Sequence, residues 1–506
     1  MADTTTPPPA KPIQPRPDFE VFVTADQAFA AFEEAVLSAR SSVIGGFRIF
    51  DMRTPLLSAG ARAVGTTWFD LLVHVVRRGV RFDLSVSDFD PVFAPALHQL
   101  SWITVKQGAN LAEAAGAAPG QVNVRALRHP VTPGLVPWLA FLPAGMAKAR
   151  AHRHHLRKAA RLTRTDVSSQ LPRLHPITHH QKLAVIDSDT LYIGGLDLNE
   201  RRFDTAEHDR PAAQTWSDVQ VMLRHDPAVA EARTHLDSFD RVVHGRAAPP
   251  QTHHLKRTLS RDRAFKLPFL SPCTVLSEIE ELHRTAIHKA KHLIYIETQF
   301  MRSRPMADAM AQAAQQRRDL SLILILPALP EPAAFEATDE IGLETRYGLS
   351  LEADALEILR GGFGDRATVA SPVQPVMAPR DGSDTLAGSP IIYVHNKVLV
   401  QDDSFGFVSS ANVNGRSFFW DTEVGLQVTQ PARLRHLRQA LSDHWWRGPR
   451  PDGWLAPERM QALWQAEIAR NTVRRPEART GFLVHHSTAV HQAEGQALPL
   501  MTDNMV

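Results

Sequence analysis

One short pattern occurs twice in the chain, and it limits the possible folds more than any other feature. HHQKLAVIDSDTLYIGGLDLN runs from His179 to Asn199, and YVHNKVLVQDDSFGFVSSANVN runs from Tyr393 to Asn414. Aligned, His180 meets His395, Lys182 meets Lys397 and Asp187 meets Asp402. After six intervening residues beyond each aspartate stands a small-residue pair, Gly194-Gly195 or Ser409-Ser410, and two residues later Asp197 or Asn412. Each copy predicts two apolar strands about a polar turn. Alternate strand residues share a face, so each histidine projects beside its lysine. A covered imidazole and ammonium side by side are costly unless an anion neutralises them.

The repeat extends beyond the motifs. AVLSARSSVIGGFRIFD (35–51) matches AIHKAKHLIYIETQFM (286–301), each a basic helix end followed by a strand with a polar mouth. A helix and a strand follow in both copies. After each motif comes a further strand with an acid at its start, WSDVQVML (216–223) or DTEVGLQV (421–428). The strands at 183–186, 291–296 and 321–326 are apolar on both faces, which places helices on both sides of a sheet. The expected fold is therefore α/β, two homologous α-β-α sandwich halves related by a pseudo-twofold axis and sharing one site. The expected boundaries are a disordered segment 1–18, a first half 19–245, a linker 246–262, a second half 263–447 and a tail 448–506. Within the tail, a helix in APERMQALWQAEIARN is expected to give way to irregular chain.

Composition excludes several classes. The formal net charge of +2 over 506 residues is too small for a sequence-independent grip on nucleic acid, and no nucleic-acid partner is expected. The single cysteine, Cys273, excludes an internal disulfide and fits a reducing compartment. MADTTTPPPAKPIQPRP has no apolar core of a signal peptide, and no run of about 18 apolar residues occurs. The expectation is a monomeric cytoplasmic protein, peripheral on membranes; a bacterial effector exported by a dedicated machine would have the same sequence features.

Two symmetric histidines permit a two-step displacement at phosphorus. One imidazole attacks while the other protonates the departing oxygen; the second then deprotonates water or an alcohol that displaces the first. Lys182 and Lys397 would hold the non-bridging oxygens. Asn412 can donate to the same oxygens, whereas Asp197 is suited to orienting a neighbour. Asp218 and Glu423 are suited to accept an imidazole Nδ1–H. Asp187 and Asp402, completing the two motifs on the opposite strand face, are expected to tie turns.

The paired HxKx4D motifs resemble those of the phospholipase D superfamily over roughly residues 20–447. GGLDLNERRFDTAEH (194–208), TWSDV, YIETQF and SSANVNGRSFFWDTE (409–423) are similar to segments of phospholipase D itself. The resemblance implies His180 as nucleophile, His395 as general acid/base, Ser410 and Glu297 among the site residues, and chemistry without metal or other cofactor. It also implies a glycerophospholipid substrate, cleaved to phosphatidic acid and a headgroup alcohol, with transfer to alcohols in competition. A cardiolipin-synthase-type phosphatidyltransferase, a phosphodiesterase acting on nucleic acid and a non-catalytic lipid scaffold are the rival readings.

Several features lie outside the motifs. Between Ala114 and Thr165 there is no acid and there are nine Lys or Arg. Residues 136–164 join an apolar patch, Trp138 to Leu142, to this basic stretch, which suits either docking on anionic lipid or a solvated helix. His152, His154 and His155 lack carboxylate neighbours and do not suit a metal. Glu297 is expected at the pocket wall or in a rim salt bridge. Trp216, Trp420 and Phe418 suit an acyl channel or plain core, and Cys273 inert packing.

Overall fold

The computed structural model describes residues 17–154, 156, 157, 171, 173–336, 342–497 and 503–505. Most of the expected disordered segment, 1–16, lies outside them, as do His155 and 158–164 of the basic stretch.

The first half is a seven-stranded sheet built from β1 (Phe19–Phe22), β2 (Ser42–Phe47), β3 (Arg81–Asp88), β4 (Val122–Arg128), β5 (Leu183–Ile186), β6 (Thr190–Gly194) and β7 (Gln220–Arg224). Its order is β1-β7-β6-β5-β2-β3-β4. The second half begins with β8 (Leu255–Arg261) and β9 (Cys273–Ser277), followed by β10 (Leu293–Thr298), β11 (Ser321–Ile325) and β12 (Ala367–Pro372). A small ribbon, β13 (Thr385–Leu386) with β14 (Ser389–Pro390), stands apart. The remaining strands are β15 (Lys397–Gln401), β16 (Phe405–Ser409), β17 (Glu423–Val428) and β18 (Leu483–His485). The nine-stranded order is β18-β12-β11-β10-β15-β16-β17-β8-β9. Without the edge strands β9 and β18, this is the first sheet repeated, with β8 in the place of β1.

This corrects the expected linker. Residues 255–261 pair antiparallel with β17, Leu255 opposite Leu426 and Thr258 opposite Glu423. LKRTLSR looked polar, yet its Arg257 is 1% exposed and donates to Glu278 and to the Pro250 carbonyl. The tail is also more ordered than expected. Its helix runs Pro457–Val473, and β18 then adds antiparallel to β12.

Strand alternation explains the double burial. Leu183 and Val185 face one apolar core while Ala184 and Ile186 face another. The first of these cores also takes Val398, Val400, Val408 and Leu426 from the second sheet, together with Ala232 and Leu236 from the helix Pro227–Val243 and Leu434 to Trp445 from the helix Pro431–Trp445. The halves thus share one interior. Each half has a separate outer core, joining Ala184 and Ile186 to Phe32 and Trp68 in the first and Leu399 to Ile294 and Met310 in the second.

Asp187 and Asp402 sit at equivalent turns with left-handed φ of 52° and 51°. Asp187 accepts from the backbone N–H groups of Arg40, Ser41 and Ser42, and Asp402 from those of Lys291, His292 and Leu293. Both tie the strand turn to the start of the neighbouring strand, far from the histidines on the chain's other face. Among the described residues their side-chain hydrogen bonds go to these turns, with Ser41 Oγ added at Asp187 and Gln401 Nε2 at Asp402.

Candidate functional site

The site forms where β5 and β15 begin, and backbone pairs related by the pseudo-twofold build it. His179 bridges Thr422, and Val394 bridges Ser217. His180 N–H donates to the Thr422 carbonyl and His395 N–H to the Ser217 carbonyl, both at 2.8 Å. Each histidine is therefore fixed by the opposite half's later strand. The acid following each of those residues then meets the imidazole. His395 Nδ1 lies 2.6 Å from Asp218 Oδ2, and His180 Nδ1 lies 3.1 Å from Glu423. The two acids act crosswise: each half supplies the carboxylate for the other half's histidine.

Around this pair the equivalence continues with different chemistry in each half. Lys182 Nζ donates to the His180 carbonyl and stands 3.4 Å from its Nδ1, and Lys397 Nζ donates to the His395 carbonyl. Asp197 accepts from Ile49 N–H and faces Arg48 at 3.9 Å. In the second half, Asn412 Nδ2 donates to Gln299 at 3.3 Å. Asp197 thus holds Ile49 N–H and Arg48, and Asn412 is held by Gln299. Ser410 donates to Glu423, whose other oxygen accepts from Ser417. At the place of Ser410 the first half has Gly195, where a Cβ would stand 2.0 Å from Asp218 Oδ1; glycine lets that acid approach.

Glu297 is fully buried behind Asn396, accepting from Asn396 Nδ2, Tyr295 Oη and Trp445 Nε1, which is not the setting of a rim salt bridge. Burial pushes its carboxyl up to about 7. Trp216 is buried against the His395 ring, centroids 4.5 Å apart, and Trp420 and Phe418 are core residues. Cys273 is partly buried with a free thiol.

Three residues escaped the sequence reading. Arg202 lies 3.8 Å over the Trp216 ring and, with Arg48, forms part of the site's field. Gln299 contacts Asn412. Arg202 stands inside the very segment compared with phospholipase D, two residues before Asp204, so the signal was available.

Burial dominates the electrostatics. It holds both imidazoles well below their ordinary value, helped by Lys182 and Arg48 at His180 and by Lys397 and Arg202 at His395. Burial likewise pushes Asp218 up to about 7, Glu423 up to about 8 and Lys397 down to about 7. His180 and Lys182 also lower the proton affinity of His395, and Lys397 lowers that of His180, so the two motifs lie within electrostatic reach of each other. Lys182, Lys397 and Arg48 stand among Asp197, Asp218 and Glu423, while Arg202 and Arg416 are engaged by Glu331 and Asp421 at the margins. Such a cleft is completed by an anion with several acceptor oxygens.

Fold and site together define an enzyme class, the two-histidine phosphodiesterases and phosphatidyltransferases. Known proteins agree. A family described as "Cardiolipin synthase, PLD-like domain" matches residues 284–445. Phospholipase D1 of Schizosaccharomyces pombe is 24% identical over 341 residues, covering 49% of this chain and 25% of the relative. Phospholipase D gamma 1 of Arabidopsis thaliana is 26% identical over 422 residues, covering 58% of this chain and 48% of the relative. The chain thus spans between a quarter and a half of these relatives' lengths. The phosphatidylserine synthase of Haemophilus influenzae Rd KW20 shares the fold, with a TM-score of 0.51 at 12% identity over 93% of this chain and 88% of that one. The second half thus matches a PLD-like domain family, and the chain resembles phospholipases D at 24–26% identity.

Proposed function

We propose that the chain cleaves the distal phosphodiester of glycerophospholipids by double displacement. The observation that carries this reading is the crossed pair of imidazole–carboxylate contacts within one cation-rich cleft. His180 Nε2 attacks phosphorus, the bond to the headgroup oxygen breaks, and the imidazolium of His395 gives that oxygen its proton. Neutral His395 then takes a proton from water or an alcohol, whose oxygen displaces His180 and yields phosphatidic acid or a phosphatidyl alcohol. The asymmetry of the site favours these roles. The 2.6 Å contact with Asp218 suits a ring that must carry positive charge, while the longer contact at His180 leaves a more exposed, neutral nucleophile.

Incubation with phosphatidylcholine vesicles and ethanol should give both phosphatidic acid and phosphatidylethanol. Absence of both, across a panel of headgroups, would refute the lipase reading. The second reading, transfer from one phosphatidyl lipid to the hydroxyl of another, is favoured by the family matched over 284–445. It requires cardiolipin from phosphatidylglycerol in the same assay. Digestion of single-stranded DNA alone would point to a nuclease.

The pH dependence has a definite sign. Asp218 and Glu423 ionise only as pH rises past about 7 and about 8, which sets the acid limb of kcat/KM. Lys397 loses its charge as pH rises past about 7, and His395, held below its ordinary value by burial, loses the proton that the first step needs, so both contribute to the alkaline limb. A bound phosphodiester favours the charged lysine, so the alkaline limb of kcat should lie at higher pH than that of kcat/KM. Coincident alkaline limbs in a pH series would contradict phosphate binding by Lys397.

Membrane contact is assigned to one face. The helix Leu135–Ala151 exposes Leu135, Val136 and Leu139, and hydrogen bonds from its start to 267 and 269 set it beside exposed Phe265, Leu267 and Phe269. Lys148 and Arg150 follow on the same helix. Among the described residues no helix is long and apolar enough to cross a membrane. Leu139→Asp combined with Phe265→Asp should reduce cosedimentation with anionic vesicles at least tenfold while sparing turnover of a short-chain soluble diester. Unchanged cosedimentation would reject this face as the docking surface.

A further inference from the structure

A second cluster of chemistry-bearing side chains lies away from the cleft, where the tail meets the second half. Glu352 projects from the helix Leu343–Phe363, His486 follows β18, and His491 lies on the short helix Ala489–Glu494. All three are buried, at 1%, 8% and 0% exposure. One carboxylate oxygen of Glu352 and one nitrogen of each imidazole lie within 4.8 Å of one another.

The hydrogen bonds leave this cluster incomplete in a particular way. His486 Nδ1 pairs with Ser371 Oγ at 2.8 Å, which fixes the ring, yet its Nε2 is buried with no partner among the described residues. His491 Nε2 lies 3.2 Å from Glu352 Oε1, and its Nδ1 is likewise buried and unpartnered. Glu352 Oε2 is held separately, by Met301 N–H at 3.4 Å and by Arg302 at 4.0 Å. That division leaves Oε1 turned to the histidines. Two cations nearby oppose a metal: Arg302, which faces the other oxygen with its guanidinium over the Phe300 ring, and Arg360, which acts on His486 and donates to Thr488 Oγ1 at 3.4 Å. A ring anchored through one nitrogen with the other bare, beside a carboxylate oriented through its second oxygen, is the arrangement outer partners impose on metal ligands. A plain Glu352–His491 ion pair would leave the bare Nε2 of His486 unexplained.

We propose that Glu352, His486 and His491 bind one structural divalent cation of the zinc class, which clamps the tail to the second half. Two nitrogens and one oxygen suit zinc or cobalt better than magnesium or calcium. Ligand atoms about 2.0–2.2 Å from such an ion in a tetrahedral site lie about 3.3–3.6 Å apart, so closure from a spread of up to 4.8 Å needs side-chain shifts of about an ångström. The clamp gives residues 485–494 a purpose that the candidate site leaves unexplained. Through Glu352 it also steadies the backbone at Met301, two residues from Gln299 and its contact with Asn412.

The test uses the untagged full chain, stripped with chelator and titrated with Zn(II), with bound metal counted by elemental analysis and Co(II) absorption as a second readout. The expected result is one equivalent lost in His486→Gln and in Glu352→Gln but retained in His486→Cys, which keeps a zinc ligand. Cobalt should give the intense visible bands of a four-coordinate site. Chelation should lower the unfolding temperature, and Zn(II), not Mg(II), should restore it. No bound equivalent, an equivalent retained in both Gln variants, or an unfolding temperature indifferent to metal would overturn the proposal. None of these readouts depends on the reaction proposed for the cleft.

Discussion

His180→Ala is expected to lower kcat by about a millionfold, the scale seen when a nucleophile acting as part of a unit is removed. The loss should be the same whatever the leaving group, since no phosphorus–nitrogen bond can form. His395→Ala should behave differently. Its task in the first step is to protonate a departing alkoxide, which contributes about 10²–10⁴ and is needed less as the leaving group becomes more acidic. A p-nitrophenyl diester should therefore release nitrophenolate from the His395→Ala protein in an initial burst of one equivalent, with slow turnover afterwards because water lacks its base. Burst kinetics on that substrate, run for both variants, check the assignment. A burst from His180→Ala and none from His395→Ala would exchange the two roles.

Asp218→Asn carries the second large effect, a fall in kcat of about 10³–10⁴ with little change in KM. The carboxylate at 2.6 Å fixes the His395 tautomer and supports its imidazolium. An amide of the same shape stabilises neither; a comparable loss accompanies the matching change in serine protease triads. Because Asp218 belongs to the first half and His395 to the second, this substitution reads the contact between halves directly. Glu423→Gln should act through the other histidine and cost less, since its contact is longer and Ser410 and Ser417 share its oxygens. Steady-state kinetics on folded variants, checked by circular dichroism, separate the outcomes. An Asp218→Asn protein with unaltered kcat would mean that the contact serves packing alone.

Much of this was legible in sequence because the informative residues repeat at fixed local spacing. The histidines, lysines and turn aspartates lie within eight residues of each other, so strand alternation alone places them. The acids at 218 and 423 were visible as candidates, yet which histidine each serves depends on how the halves dock, and no local pattern encodes that crossing. The strand 255–261 was hidden by its Lys, Arg and Ser content, which is tolerated because Glu278 neutralises buried Arg257. The burial of Glu297 was hidden because two of its donors, Trp445 and Asn396, lie about a hundred residues or more away in the chain. The cluster of Glu352, His486 and His491 was invisible for the same reason, its first member being separated from the others by most of the second half.

The decisive measurement is to quench a reaction with labelled substrate in base and locate the phosphoryl group by peptide mass spectrometry. The mechanism proposed here requires the label on His180, accumulating further in the His395→Ala protein. Label on His395, or no phosphorus–nitrogen adduct under conditions where product forms in the first turnover, would contradict it.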